Sequence, residues 1–278
     1  MNGLIILGRI LQLAYAAEAV FTLILFERPG EKLPKVVQRL GWACLVLHAA
    51  FLAGAIFWRG ADFLFRESGT LVLFGFVVFM FYTVTLWSGF VAKAQSLGLL
   101  IVPLVLFSFS LGVRGLTLET ALSVPWEFSE VWLGVHILLS VLGEAALVVA
   151  ALLGLFYLLE EAAIRRKKSL PLVFRLPPLE FLERAGARLL EVGFLFLTLG
   201  LWVGSYFATE SYGVDWLVQP KQMLALAAWA VYGGLLVLKR TRAFDAKGMA
   251  LGCVAGFVLL LLVMVGVSVC PVGFHRFG

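Results

Sequence analysis

Charge is scarce in this chain. Asp, Glu, Lys and Arg make up only 14% of its 278 residues, against roughly a quarter in soluble domains. Together with 62% hydrophobic residues and a mean hydropathy of +1.01, that shortage excludes an ordinary water-soluble core. Cysteine is scarcer still. Cys44, Cys253 and Cys270 form no C-x-x-C pair and no zinc-type spacing, which argues against a disulfide framework or a zinc site. They are expected to act as small apolar packing residues. No cationic n-region or small-residue cleavage site precedes the first apolar run, so a removable signal peptide is not expected. Inverted internal repeats of the secondary-transporter kind are not evident.

What is abundant is long, continuous apolar sequence. A helical span needs about 20 mostly apolar residues to cross about 30 Å of hydrocarbon. Runs of that kind place spans at Leu4–Phe26, Leu40–Trp58, Thr70–Ala92, Leu97–Val113, Val131–Leu159, Leu189–Ala208, Met223–Leu238 and Met249–Val269. Strict alternation is missing, so helices are favoured over a barrel. The expected fold is all-α and polytopic, with about eight transmembrane helices in a single membrane domain over 1–278.

The sparse basic residues set the orientation. Connections after the odd-numbered spans hold 16 Lys and Arg, whereas the opposite side holds 5 and Arg9 lies inside the first span. By the positive-inside rule both termini face the non-cytoplasmic side. The net charge of +5 is thereby explained by cytoplasmic loops, and no nucleic-acid partner is expected. Within the longest cytoplasmic connection, Leu179, Leu182, Ala185 and Leu189 recur at helical spacing after Pro177 and Pro178. The pattern predicts a short helix along the inner surface that leads into the sixth span. Gly200 with Gly204, and Gly248, Gly252 and Gly256, repeat every four residues and are expected to form packing seams without chemistry.

The chain has three histidines, and their depths differ. His136 falls about 7 Å below the outer surface at 1.5 Å per residue. His275 follows the helix stop at Pro271, also on the outer side. His48 lies near the middle of the second span. Trp58, Trp126, Trp132, Trp202 and Trp216 crowd the outer face beside Tyr206, Phe207 and Tyr212. An interfacial belt accounts for such aromatics. Joined to two histidines, they also suit a flat macrocycle with a central iron, which needs imidazole ligands and aromatic faces. A histidine at mid-bilayer is costly without a partner. Glu18 and Glu144 lie at similar depth to His48, and a structural cluster, a second haem site and a proton path all remain open. Arg9 and Glu18 are nine residues apart, on opposite helix faces, and are not a pair.

Several motifs carry a family likeness. Val192-Gly193-Phe194-Leu195-Phe196-Leu197-Thr198-Leu199-Gly200-Leu201 looks like a G-F-x-x-L-T-x-G entry to a span. It leads through Ser205-Tyr206-Phe207-Ala208 to an outer loop, Tyr212-Gly213-Val214-Asp215-Trp216-Leu217-Val218-Gln219-Pro220-Lys221-Gln222. Trp229-Ala230-Val231-Tyr232 follows, then Gly273-Phe274-His275 at the end, and Val135-His136-Ile137 stands earlier. The chain thus resembles the cytochrome c assembly family of membrane haem-handling proteins, the CcsA, CcmC and HemX-like group. The likeness is strongest over roughly the last 150 residues, so that 131–278 reads as the haem-handling core and 1–130 matches loosely.

The resemblance implies a bacterial inner-membrane protein that holds a b-type, bis-histidine haem at the outer face for cytochrome c biogenesis. His136 and His275 are the implied iron ligands. Tyr212, Gly213 and Trp216 fall in the implied haem-facing loop, and Trp132 and His48 complete the candidate binding set. Implied partners are haem, the lipid bilayer, and apocytochrome c or another assembly protein. No side-chain catalytic constellation is found, so a handling factor is favoured over an enzyme. Val218, Gln219 and Gln222 depart from the family loop, and Val237 stands where assembling members carry a histidine. The alternative implied by those departures is a HemX-like regulator or scaffold of haem synthesis. A transporter using Glu18, His48 and Glu144 is a third, weaker reading.

Overall fold

The computed structural model describes residues 2–28, 33–87, 94–118, 130–166, 176–212, 217 and 220–269. Among them are eight α-helices: α1 Asn2–Glu27, α2 Leu33–Arg59, α3 Glu67–Trp87, α4 Gly98–Leu118, α5 Glu130–Arg165, α6 Leu179–Tyr212, α7 Pro220–Arg240 and α8 Ala246–Val269. Short 3₁₀ turns at Ala61–Phe65 and Ala94–Leu97 lead into α3 and α4. Helices α1 to α7 are long and apolar enough to cross a membrane, and α8 contributes the apolar stretch Ala246–Leu262. The chain is an all-α, multi-pass integral membrane protein, as its hydropathy predicts. In lipid the backbone has no water to bond, so each span closes its own hydrogen bonds as a helix.

Several boundaries differ from the expected spans, and three have consequences for packing. The third helix begins at Glu67 and not at Thr70. The reason is local: a side chain at Gly69 would overlap the Phe63 carbonyl, so glycine lets the 3₁₀ turn close against the first turn of α3. Helix α5 runs on to Arg165. The expected surface helix after Pro178 does not stand apart, because α6 is continuous from Leu179 to Tyr212. Leu182, Leu190 and Leu197 are all buried, so the apolar stripe of the amphipathic stretch extends into the span without a break.

Two compact units emerge. The first comprises 1–130 with 169–178, the second 131–168 with 179–278. In the first, Tyr15, Phe51, Phe79 and Phe109 meet edge to face at centroid distances of 4.9–6.1 Å, a geometry that their ring quadrupoles favour. In the second, Leu147, Leu190, Leu197, Ala228, Tyr232, Leu235, Cys253 and Leu260 form a core shared by α5, α6, α7 and α8. Gly252 and Gly256 of α8 sit against Leu235 and Tyr232 of α7, where a side chain would collide. That is the close helix approach their spacing predicts. Cys44 and Cys253 are free and buried; Cys270 lies outside the described residues.

Candidate functional site

Helices α5 and α6 of the second unit approach through small residues. An added Cβ at Gly143 would come within 2.7 Å of the Leu197 amide nitrogen, and one at Gly200 within 2.7 Å of the Ser140 hydroxyl. Backbone therefore meets backbone along this seam, and the imidazole of His136 occupies its outer end. His136 Nδ1 lies 2.9 Å from the carbonyl oxygen of Gly200. A carbonyl can only accept, so Nδ1 carries a proton, and in the neutral ring the lone pair is then on Nε2. A Cβ at Gly204 would fall 2.6 Å from His136 Cε1 and 2.7 Å from Nδ1. The ring thus rests on bare α6 backbone. Gly200 and Gly204, expected only to pack, also form the seat of a histidine.

This tautomer matters chemically. Imidazoles that bind metals commonly donate the other ring N–H to a carbonyl or carboxylate, which fixes the ring and raises the basicity of the ligating nitrogen. His136 in this tautomer would have Nε2 available to a metal, and such a donor would fit a haem iron. Trp132 lies one turn earlier on the same face of α5 and is exposed. Tyr212 ends α6. Gly213, Trp216 and His275 lie outside the described residues, as does Trp126.

His48 belongs to the first unit and has a different environment. It has no exposed surface. Its Nδ1 is hydrogen-bonded to the Tyr15 hydroxyl at 2.7 Å, and the edges of Phe76 and Phe109 enclose the ring at 5.5 and 4.8 Å. Sequence spacing suggested Glu18 or Glu144 as its partner. The side chain found on Nδ1 is Tyr15, a residue that depth alone did not single out. Glu144 belongs to the second unit. Arg9 is exposed and bonds Gln12, whereas Glu18 is buried, in keeping with their opposite helix faces.

A groove of about 220 Å³ opens between α6 and α7, lined by Thr198, Trp202, Ser205, Gln222 and Trp229 among others. Trp229 donates its indole N–H to the Thr198 hydroxyl at 3.0 Å and stacks on Phe194 at 5.7 Å. Successive residues turn by about 100°, so Thr198, Trp202 and Ser205 face away from the side of α6 that carries Gly200 and Gly204. The groove and the His136 seat are therefore on opposite faces of one helix. The Trp229–Thr198 bond links two of the family-like motifs, a pairing with no signal in either motif alone.

Comparison with known proteins identifies the family. The family model described as cytochrome C assembly protein matches residues 36–275, so the likeness extends well before the last 150 residues. A cytochrome c biogenesis protein CcsA from Guillardia theta is 27% identical over 199 residues, covering 66% of each chain. One from Parasynechococcus marenigrum is 31% identical over 168 residues, 53% of this chain and 55% of its own. One from Prochlorococcus marinus is 36% identical over 106 residues, 36% of this chain and 34% of its own. The chain thus spans between about a third and two thirds of the curated relatives it matches. A match from the second helix to the closing histidine segment leaves one conclusion: the chain belongs to the cytochrome c assembly protein family.

Proposed function

We propose that this protein binds haem at the non-cytoplasmic side of its membrane and presents it for cytochrome c biogenesis. The observation that carries the reading is the His136 seat: an imidazole held by Gly200 O in the Nδ1–H tautomer, with its ring against the backbone at Gly204. Haem supplies the iron and the flat apolar macrocycle. The chain's own contribution is positional. His136, through Nε2, and His275 would hold the iron, and Trp132, Tyr212, Gly213 and Trp216 would shelter the ring from water. The haem is proposed to be b-type and bis-histidine, the membrane a bacterial cytoplasmic membrane, and the receiving partner apocytochrome c or another assembly protein. His48, buried and bonded to Tyr15, is proposed as a structural group of the first unit.

The relatives named above are cytochrome c biogenesis proteins, which ranks this function above the HemX-like regulator. The test is an absorption spectrum of detergent-purified protein after expression with excess haem. A Soret band with low-spin bis-imidazole features is expected, much reduced by His136→Ala and by His275→Ala. A wild type without that band, or both variants keeping it unchanged, would refute the assignment. A deletion strain that matures cytochromes normally but alters haem precursors would move the function to the regulator.

A further inference from the structure

The first unit contains a carboxyl group that its surroundings leave unanswered. Glu18 on α1 has no exposed surface. Neither of its oxygens meets a hydrogen-bond donor, and the Thr22 and Tyr82 hydroxyls beside it are turned toward each other. These groups converge. Glu18 and Thr22 are one turn apart on α1. A Cβ at Gly41 of α2 would lie 3.5 Å from Glu18 Oε1 and 3.9 Å from the Thr83 hydroxyl of α3. A Cβ at Gly98, where α4 begins, would overlap the Tyr82 hydroxyl and come within 3.0 Å of the Thr22 methyl. Four oxygen-bearing side chains from two helices thus gather where glycines on two others let them approach, the Thr83 hydroxyl donating to the Phe79 carbonyl.

No basic side chain among the described residues answers the carboxyl. Arg9 is on the opposite face of α1, and Arg39, close to Gly41 on α2, is exposed. The titratable groups nearby are Tyr15 on α1, Cys44 and His48 on α2 and Tyr82 on α3, and Tyr15 is engaged with His48. An uncompensated negative charge in a low-dielectric interior is strongly unfavourable. Buried polar atoms without partners also point to a bound species. One carboxylate carries one charge, so a monovalent cation neutralises it, and an all-oxygen set suits a hard ion.

We propose that Glu18 is an ion-binding carboxyl that takes a monovalent cation, a proton or an alkali ion, inside the first unit, with the Thr22, Tyr82 and Thr83 hydroxyls around it. The site is independent of the haem assignment.

The test treats the full chain in nanodiscs with dicyclohexylcarbodiimide, a hydrophobic reagent for membrane-buried carboxyls, and reads the α1 peptide by mass spectrometry. Labelling of Glu18 is expected, and none at that position in Glu18→Gln. Protection by sodium, but not by choline, assigns an alkali ion. Labelling that ignores sodium and falls about tenfold per pH unit beyond its midpoint assigns a proton. Absence of label at Glu18 in sodium-free buffer across the pH range overturns the proposal. Thermal unfolding gives the second arm. Wild type and Glu18→Gln are expected to differ in the dependence of Tm on pH or on sodium, and identical profiles would show a merely structural acid. Should Glu18→Gln fail to fold, wild-type labelling with and without sodium decides alone.

Discussion

Replacing Gly204 by alanine tests the His136 seat with a single methyl group. The added Cβ would sit 2.6 Å from His136 Cε1 and 2.7 Å from Nδ1. Restoring an ordinary contact of 3.4 Å requires the ring to retreat by roughly 0.8 Å, which overpacking arguments cost at about 1–3 kcal/mol. That motion pulls Nδ1 off the Gly200 carbonyl, a hydrogen bond worth about 0.5–1.5 kcal/mol net. Opposing both is the helix preference for alanine over glycine, about 1 kcal/mol. The fold should therefore lose little, on the order of 1–3 kcal/mol. Haem binding should lose more, because groups that orient a metal ligand typically matter about 10–100-fold in affinity. Gly234→Ala on α7 is the control, since an added Cβ there meets nothing within 4 Å. The assay is haem titration of purified protein in nanodiscs beside a thermal unfolding curve. Gly204→Ala is expected to bind about 10–100-fold more weakly while Gly234→Ala binds as wild type. Equal binding by all three, or equal losses in both variants, would show that the ring does not depend on the α6 backbone.

Gly98→Ala should destabilise the first unit by about 1–3 kcal/mol, because its methyl would overlap the Tyr82 hydroxyl; a Tm at or above that of wild type would contradict the contact. Trp229→Phe and Thr198→Val each remove one side of the α6–α7 hydrogen bond, and a double-mutant cycle should return a coupling of about 0.5–1.5 kcal/mol. A coupling near zero would remove that bond from the account. Lys239→Met breaks the ion pair with Glu191, but both side chains are partly exposed, so the loss in unfolding free energy should stay below about 1 kcal/mol. A cysteine placed at Arg166 should react with an impermeant maleimide only from the cytoplasmic side, and reaction from outside would reverse the topology.

The helices were legible because bilayer thickness imposes a length that hydropathy reports directly. Their ends were less so. The start of α3 depends on Gly69 closing against a carbonyl, and the unbroken α6 depends on a stripe shared by Leu182, Leu190 and Leu197. Neither effect is visible in a sliding apolar count. At the candidate site, His136 stood out as a rare titratable residue in an apolar run, whereas its tautomer required the Gly200 carbonyl, a backbone atom that no residue letter encodes. The spacing of Gly200 and Gly204 was visible, but spacing alone does not say what a glycine faces. Tyr15 escaped notice as the partner of His48 because a tyrosine in an aromatic-rich span gives no distinct signal.

The second unit also contains its own depth gauge, once the basic residues have given its orientation. Helix α7 has 21 residues, about 31 Å at 1.5 Å each, close to the hydrocarbon thickness. Its C-terminal end, cytoplasmic by the positive-inside rule, carries Lys239, paired with Glu191 of α6. Trp229 is bonded to Thr198, which fixes the register of α6 against α7. Gly200 is two residues further outward than Thr198, and His136 is bonded to Gly200. The imidazole therefore lies about 10 Å below the outer end of α7 and about 18 Å from Lys239. At that depth an arriving ligand gives up its water but an imidazole need not carry charge. A neutral ring in the Nδ1–H tautomer, held by a carbonyl that is itself part of a helix, can wait there at little cost. A carboxylate or lysine in the same place could not, which is a physical reason for a histidine at this end of the α5–α6 seam.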